Sequence, residues 1–189
     1  MKHYRKDITT WILIILFLTI LIIIYNEQKN NRYIEIDEDT PPPEELDPVV
    51  ATKTSQLLKK SAQQDINVVI TEKVRSIKRQ NKLYEQGRSS DENVVTYAKG
   101  GESYHNYGLA VDFALRNNDG VIIWDINYDG NKNGKADWFE VADIAKQLGF
   151  EWGGDWSKFK DYPHLQMDFG LSIRQLKKGL RPSHDQSEN

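Results

Sequence analysis

Three residues of this chain have the types a catalytic metal requires: His105, Asp112 and His164. Zinc takes neutral imidazoles and carboxylates at ~2.0–2.2 Å, and a catalytic site keeps three protein ligands with a fourth position open for water. Asp112 follows His105 by seven residues, a spacing that does not fit one helix face and suits a loop leading into a strand. His164 opens a second strand-like stretch, and two strands of one sheet could bring the three side chains together. Each residue also has an ordinary reading, since a histidine beside aromatics is commonly a hydrogen-bonded structural residue. Asp112 lies between Val111 and Phe113, and an acid in an apolar strand needs a cation, a hydrogen-bond donor or a metal. The residue types and spacings leave a metal site and a structural polar cluster both open.

A second pattern points to a harder cation. Asp129, Asn131, Asn133, Gly134, Asp137 and Glu140 fit D-x-[DN]-x-[DN]-G-x5-E, the twelve-residue calcium loop of an EF-hand. Oxygen ligands fall at positions 1, 3, 5, 9 and 12, with glycine at 6 for the turn. A helix should leave this loop, but the element entering it reads as a strand, so it is at most half an EF-hand. The plainer alternative is an Asn/Gly-rich turn in which Asp137 caps the next helix.

The elements that must position these residues follow from periodicity. Asp47 and Pro48 suit a helix start, with the helix running to about Gln64. Residues 66–71 are β-branched and read as a strand. Ser76 can cap a helix ending at Gly87. Residues 109–115 alternate around Asp112 as a strand, 121–124 form another, and residues 117–120 supply a hairpin turn between them. A helix is expected over residues 137–149, with Val141, Ile144, Ala145 and Leu148 on one face. Residues 163–169 alternate again as a strand, and a short helix near 172–178 closes the domain. Helices and hairpin-linked strands mix without a βαβ rhythm, so the class is α+β, a small antiparallel sheet with flanking helices.

Composition bounds the partners. With 28% charged residues and a net charge of −3, the chain shows no basic excess for nucleic acid. It has no cysteine, which excludes disulfides, a thiol nucleophile and thiolate-ligated zinc. Residues 9–25 are uncharged and almost wholly apolar, about 26 Å long as a helix, and Lys2, Arg5 and Lys6 precede them. That asymmetry predicts a signal anchor with residues 1–8 in the cytoplasm and the remainder outside, a cleaved signal peptide being the alternative. Residues 26–46, rich in proline and acids, read as a stiff spacer of ~60 Å reach. The domain is expected over 47–180, followed by a polar tail, 181–189, and a monomer is expected.

Ser103, His105, Gly108, Ala110 and Asp112 together resemble the S-x-H-x-x-G-x-A-x-D motif of the VanY-like carboxypeptidases and L-alanyl-D-glutamate peptidases, which share the hedgehog-type zinc fold. Trp152, Gly153, Gly154, Asp155 and Trp156, followed by Asp161, Tyr162, Pro163 and His164, resemble the second half of that signature. The resemblance covers about residues 48–180 and implies that His105, Asp112 and His164 hold zinc, with Asp161, three residues before the last histidine, as general base. Arg75 matches an arginine that could stabilise an oxyanion or hold a substrate carboxylate, although Lys73-Val74 departs from the family's usual Gly-aromatic pair before it. Gln80 and Ser103 match polar substrate-contacting positions more loosely. Trp152, Trp156 and Phe159 have core packing as their plain reading, and Gly153-Gly154 could set Asp155 near the cleft.

The activity this implies is hydrolysis of the L-Ala–D-Glu bond in peptidoglycan stem peptides. A D-Ala-D-Ala carboxypeptidase or dipeptidase on the same fold is a rival, and a non-catalytic zinc-containing wall-binding module is another.

Overall fold

The computed structural model of the chain describes residues 2–30, 32–86, 88 and 94–184. The first helix, α1 (Lys2–Asn30), contains Ile8–Tyr25, a stretch of mean hydropathy 2.8 that is long and apolar enough to cross a membrane. Strand β1 (Tyr33–Glu35) precedes α2 (Pro48–Ala62), which starts where expected: Asp47 accepts hydrogen bonds from the amides of Val49 and Val50, and Pro48 takes the first turn. Helix α2 buries Val50, Thr54, Leu57 and Ser61, a stripe at helical spacing. Strand β2 (Val68–Glu72) and helix α3 (Ile77–Glu85), capped by Ser76, follow. The expected helix end at Gly87 lies outside the described residues.

A single turn of 3-10 helix, Tyr104–Tyr107, leads into β3 (Ala110–Arg116), the central strand. A turn at 117–120 sends the chain back as β4 (Ile122–Ile123), with the Asn117 amide donating to the Val121 carbonyl at 2.9 Å. Next come α4 (Asp137–Gln147), β5 (Glu151–Trp152), β6 (His164–Gln166), α5 (Ile173–Lys177) and β7 (Leu180–Pro182). Five strands form an antiparallel sheet in the order β2-β3-β6-β5, with β4 on the far part of β3. The α+β reading holds.

Side chains alternate across β3. Val111, Phe113 and Leu115 are fully buried and join Leu57, Trp138, Val141 and Leu165 in the core. Phe113 stacks on Trp138 at 4.8 Å between ring centroids, and truncating such a residue costs about 3–5 kcal/mol. Asp112 points to the opposite face. There the register sets it directly across from His164 on β6 and from Glu72 on β2, so two candidate ligands are cross-strand neighbours.

The flanks of the domain differ from expectation. Residues within the expected 26–46 spacer pair with the end of the chain: Tyr33, Ile34 and Glu35 of β1 align with Pro182, Arg181 and Leu180 of β7. The Ile36 amide donates to the Gly179 carbonyl at 2.9 Å, and the Asp47 amide to the Gly108 carbonyl at 3.0 Å. The start of the expected tail is likewise engaged, His184 Nε2 lying 2.5 Å from Asp47 Oδ2. Residues 185–189 of that tail lie outside the described residues. Proline-rich composition signals a segment with no core of its own, but edge pairing needs only backbone.

Candidate metal centre

The three candidate ligands converge. His105 Nε2 lies 3.0 Å from Asp112 Oδ1 and 3.2 Å from His164 Nδ1, and the latter two atoms are 3.3 Å apart. Tetrahedral zinc with bonds of ~2.0–2.1 Å spaces its ligands about 3.3 Å apart, so the triangle has the size of one face of that tetrahedron. Both histidines are buried and Asp112 is half-buried.

The surrounding hydrogen bonds fix what these atoms offer. His105 Nδ1 is 2.7 Å from the Lys73 carbonyl, which only accepts, so the proton of the neutral ring sits on Nδ1 and Nε2 presents a lone pair. His164 Nε2 is 3.0 Å from Gln166 Oε1, and the Gln166 amide is oriented by donating from Nε2 to Glu151 Oε2 at 2.9 Å. The His164 proton therefore sits on Nε2, and Nδ1 also presents a lone pair. Asp112 Oδ2 accepts from Arg75 Nη2 at 3.0 Å, leaving Oδ1 to face the imidazoles. In these neutral tautomers three acceptors converge, an arrangement a cation completes. The residues fit zinc.

Electrostatics agree. Burial works against the Asp112 carboxylate, but the hydrogen bonds and positive charge that His105 and His164 offer when protonated outweigh it and hold its carboxyl well below the usual range. Burial works against a charged His164, yet the Asp112 hydrogen bond and charge raise it, so a proton and a cation compete for the same Nδ1.

Asp161 and His164 line the same cleft of about 540 Å³, together with Arg75, Ser103, Trp124 and Trp156. Burial pushes the Asp161 carboxyl up, with His164 opposing and Asp112 adding to the rise. Its position depends on Gly153, the first residue of a short 3-10 turn at Gly153–Asp155. A Cβ on Gly153 would stand 2.5 Å from the Asp161 carbonyl oxygen and 3.2 Å from His164 Cβ. The glycine therefore lets the 161–164 segment close on the sheet, and the Asp161 amide donates to the Gly153 carbonyl at 3.0 Å.

Several sequence expectations change. Gln80 is fully buried; it accepts from Arg75 Nη1 at 3.0 Å and donates to the Ala98 carbonyl at 2.8 Å, so it braces Arg75 behind the cleft wall. Arg75 is itself buried and bonded to Asp112 and Gln80, so it positions the candidate-ligand carboxylate, and it also borders the cleft. Ser103 caps the 3-10 turn bearing His105, its Oγ accepting from the His105 amide at 3.4 Å, while also lining the cleft. Of the three aromatics expected in the core, only Trp152 is there. Trp156 stacks on His164 at 5.2 Å, and Phe159 meets Tyr97 edge-on at 5.4 Å on the cleft rim. Asp155 faces Lys146 at the surface at 3.3 Å.

Sequence reasoning missed Gln166, Glu151 and Asn106. Gln166 had a signal, being two residues after His164 in an alternating strand and so on the same face. Asn106 is fully buried; its Oδ1 accepts from the Gly101 and Ser103 amides, and its Nδ2 donates to the Arg75 carbonyl at 2.7 Å, tying the His105 turn to the Arg75 segment.

An antiparallel sheet with two imidazoles and a carboxylate converging in a cleft defines a metallopeptidase-type centre. A family model described as D-alanyl-D-alanine carboxypeptidase matches residues 96–167, which include all three candidate ligands and Asp161. The chain is 62% identical over 130 residues to the peptidoglycan L-alanyl-D-glutamate endopeptidase CwlK of Bacillus subtilis (strain 168), covering 69% of this chain and 78% of that protein. It is 36% identical over 118 residues to the L-alanyl-D-glutamate peptidase of Listeria phage A118, covering 57% of this chain and 40% of the phage protein. DacB from Streptococcus pneumoniae D39 shares the fold, with a TM-score of 0.50, 18% identity, and coverage of 75% of this chain and 80% of that one. The chain belongs to the metallopeptidase family of the peptidoglycan L-alanyl-D-glutamate endopeptidases.

Proposed function

We propose that the chain is a zinc-dependent endopeptidase hydrolysing the L-Ala–D-Glu bond of peptidoglycan stem peptides. The observation that carries this is the convergence of His105 Nε2, Asp112 Oδ1 and His164 Nδ1 as three acceptors in the cleft that also holds Asp161. Zinc held there supplies Lewis-acid polarisation of the scissile carbonyl and lowers the pKa of water to about 7. Asp161 accepts the proton of the attacking water and returns it to the leaving amine. Burial favours this second role, because a carboxyl raised above its usual range gives up its proton less readily and so holds it until the amine departs. Arg75 keeps Asp112 aimed, and Gln166 keeps the His164 lone pair turned inward.

The choice of bond rests on the 62% identity to a protein named for cleaving it. The second reading, removal of terminal D-Ala, rests on the family model's description. Full-length, zinc-loaded protein acting on L-Ala–D-Glu–diamino acid–D-Ala–D-Ala separates them by mass spectrometry. Release of L-Ala supports the endopeptidase, release of D-Ala the carboxypeptidase, and no cleavage by zinc-containing protein refutes both. The apolar stretch Ile8–Tyr25, behind Lys2, Arg5 and Lys6, supports a membrane anchor with the domain on the outer side, where this substrate lies.

A further inference from the structure

One motif takes no part in that chemistry. Residues 129–140 run from a turn after β4 into the first turn of α4. Asp137 does not cap α4: the cap position is Ala136, with no side-chain hydrogen bond, and the Asp137 side chain turns back toward the loop. Its Oδ2 accepts from the Gly130 amide at 3.1 Å, while Oδ1 is buried with no hydrogen-bond partner, in a residue only 2% exposed. A carboxylate oxygen so placed is costly unless something positive meets it.

Glu140 folds back over the same loop. Its Oε2 accepts from Asn131 Nδ2 at 3.2 Å and its Oε1 from Asn133 Nδ2 at 2.8 Å, so both oxygens face the third and fifth loop positions. Asp129 opens the loop and receives the Asn133 and Gly134 amides at 3.1 and 2.9 Å, with Gly134 turning the chain at φ +86°. Among the described residues, none of Asp129, Asp137 and Glu140 has an ion-pair partner. Three carboxylates and two amide side chains, with no nitrogen ring or sulfur, are a hard oxygen donor set.

We infer that this loop binds calcium, with Asp129, Asn131, Asn133, Asp137 and Glu140 as side-chain ligands and the Lys135 carbonyl at the seventh position. Asn131 and Asn133 turn their amide oxygens to the ion, and Glu140 closes the site with both oxygens. Because the loop is entered from a strand and not a helix, it is half an EF-hand, and its affinity belongs at the weak end of such sites, on the order of 10⁻⁴ M. Binding fixes the start of α4. Trp138, the next residue, packs on Phe113 beside Asp112 and lies 6.3 Å from Trp124, which lines the cleft.

Trp138 also provides the probe, since a tryptophan next to a ligand sensitises terbium emission. Terbium is titrated into full-length, zinc-loaded protein in detergent, then displaced with calcium chloride or an equal concentration of magnesium chloride. The expected result is saturable emission from one ion per chain, displaced by calcium and not by magnesium. Glu140→Gln should weaken calcium binding about tenfold or more, with zinc content and circular dichroism unchanged, and Asp137→Asn should do the same. If Asp137→Asn does not fold, the half-exposed Glu140 decides alone. Emission that calcium does not displace, or calcium affinity unchanged in Glu140→Gln, overturns the site. No readout involves hydrolysis, so the result is independent of the proposed activity.

Discussion

At the scale of single residues, the division of labour around the cleft yields two predictions. Asp161 must be a carboxylate to take a proton from water, and its carboxyl is raised by burial. The base form is therefore lost on acidification at a higher pH than for an ordinary carboxylate. The acid limb of kcat/KM should lie higher than an unperturbed carboxylate would place it. Asp161→Asn should lower kcat about 10²–10⁴-fold with zinc content intact; an acid limb unmoved in its residual activity would assign the limb to another group. Gln166 borders the cleft and hydrogen-bonds His164 and Glu151, so it orients a candidate ligand. Gln166→Leu should weaken zinc binding about 10–100-fold while leaving kcat near native at saturating zinc. Competition with a chelator measures this, and native zinc affinity in the variant would remove Gln166 from the ligand's support.

Among the elements, the sequence was most legible where a pattern was long. The caps of α2 and α3 at Asp47 and Ser76, the alternation of β3 and the hairpin turn before β4 all follow from local residue chemistry. Register was not legible, because alternation gives a strand its faces without saying which residue of a partner lies opposite. That Asp112 faces His164 is thus a product of the assembled sheet. Strands of two or three residues, such as β5, carry too little pattern to announce themselves. The glycine pair at 153–154 was read as a turn serving Asp155, whereas Gly153 makes room for Asp161 and His164. Gly153→Ala places a methyl 2.5 Å from a backbone oxygen that cannot rotate away, so the 161–164 segment must shift. Overpacking of this kind costs about 1–3 kcal/mol. A displaced base should lower kcat more than tenfold in protein that still folds; native kcat in Gly153→Ala would show that the Asp161 position tolerates the shift.

For the whole molecule, the pairing of β1 with β7 limits how far the domain can stand from the apolar helix. A spacer free over residues 26–46 would let the cleft range ~60 Å from the bilayer. Instead Tyr33–Glu35 are hydrogen-bonded to Leu180–Pro182, Tyr33 Oη donates to the Phe169 carbonyl at 3.0 Å, and α1 continues to Asn30. Beyond the apolar stretch ending at Tyr25, only residues 26–32 remain before the domain begins, at most ~25 Å even if fully extended. This geometry supports action on wall close to the membrane surface. It also predicts where the folded unit starts. A chain beginning at residue 32 keeps the β1–β7 ladder and the contacts of residues 36–46, and should melt with the full-length protein. One beginning at residue 47 loses the ladder and exposes the backbone of β7. It also uncovers Gly108, which is packed so closely under Glu45 that an added Cβ would lie 2.6 Å from the Glu45 carbonyl oxygen. A loss of about 2 kcal/mol corresponds to a drop in melting temperature of roughly 4–8 °C for a domain of this size. Calorimetry on the two truncations distinguishes the cases: equal melting temperatures would return residues 33–46 to the role of a free spacer, and a clear drop for the shorter chain would make them part of the enzyme.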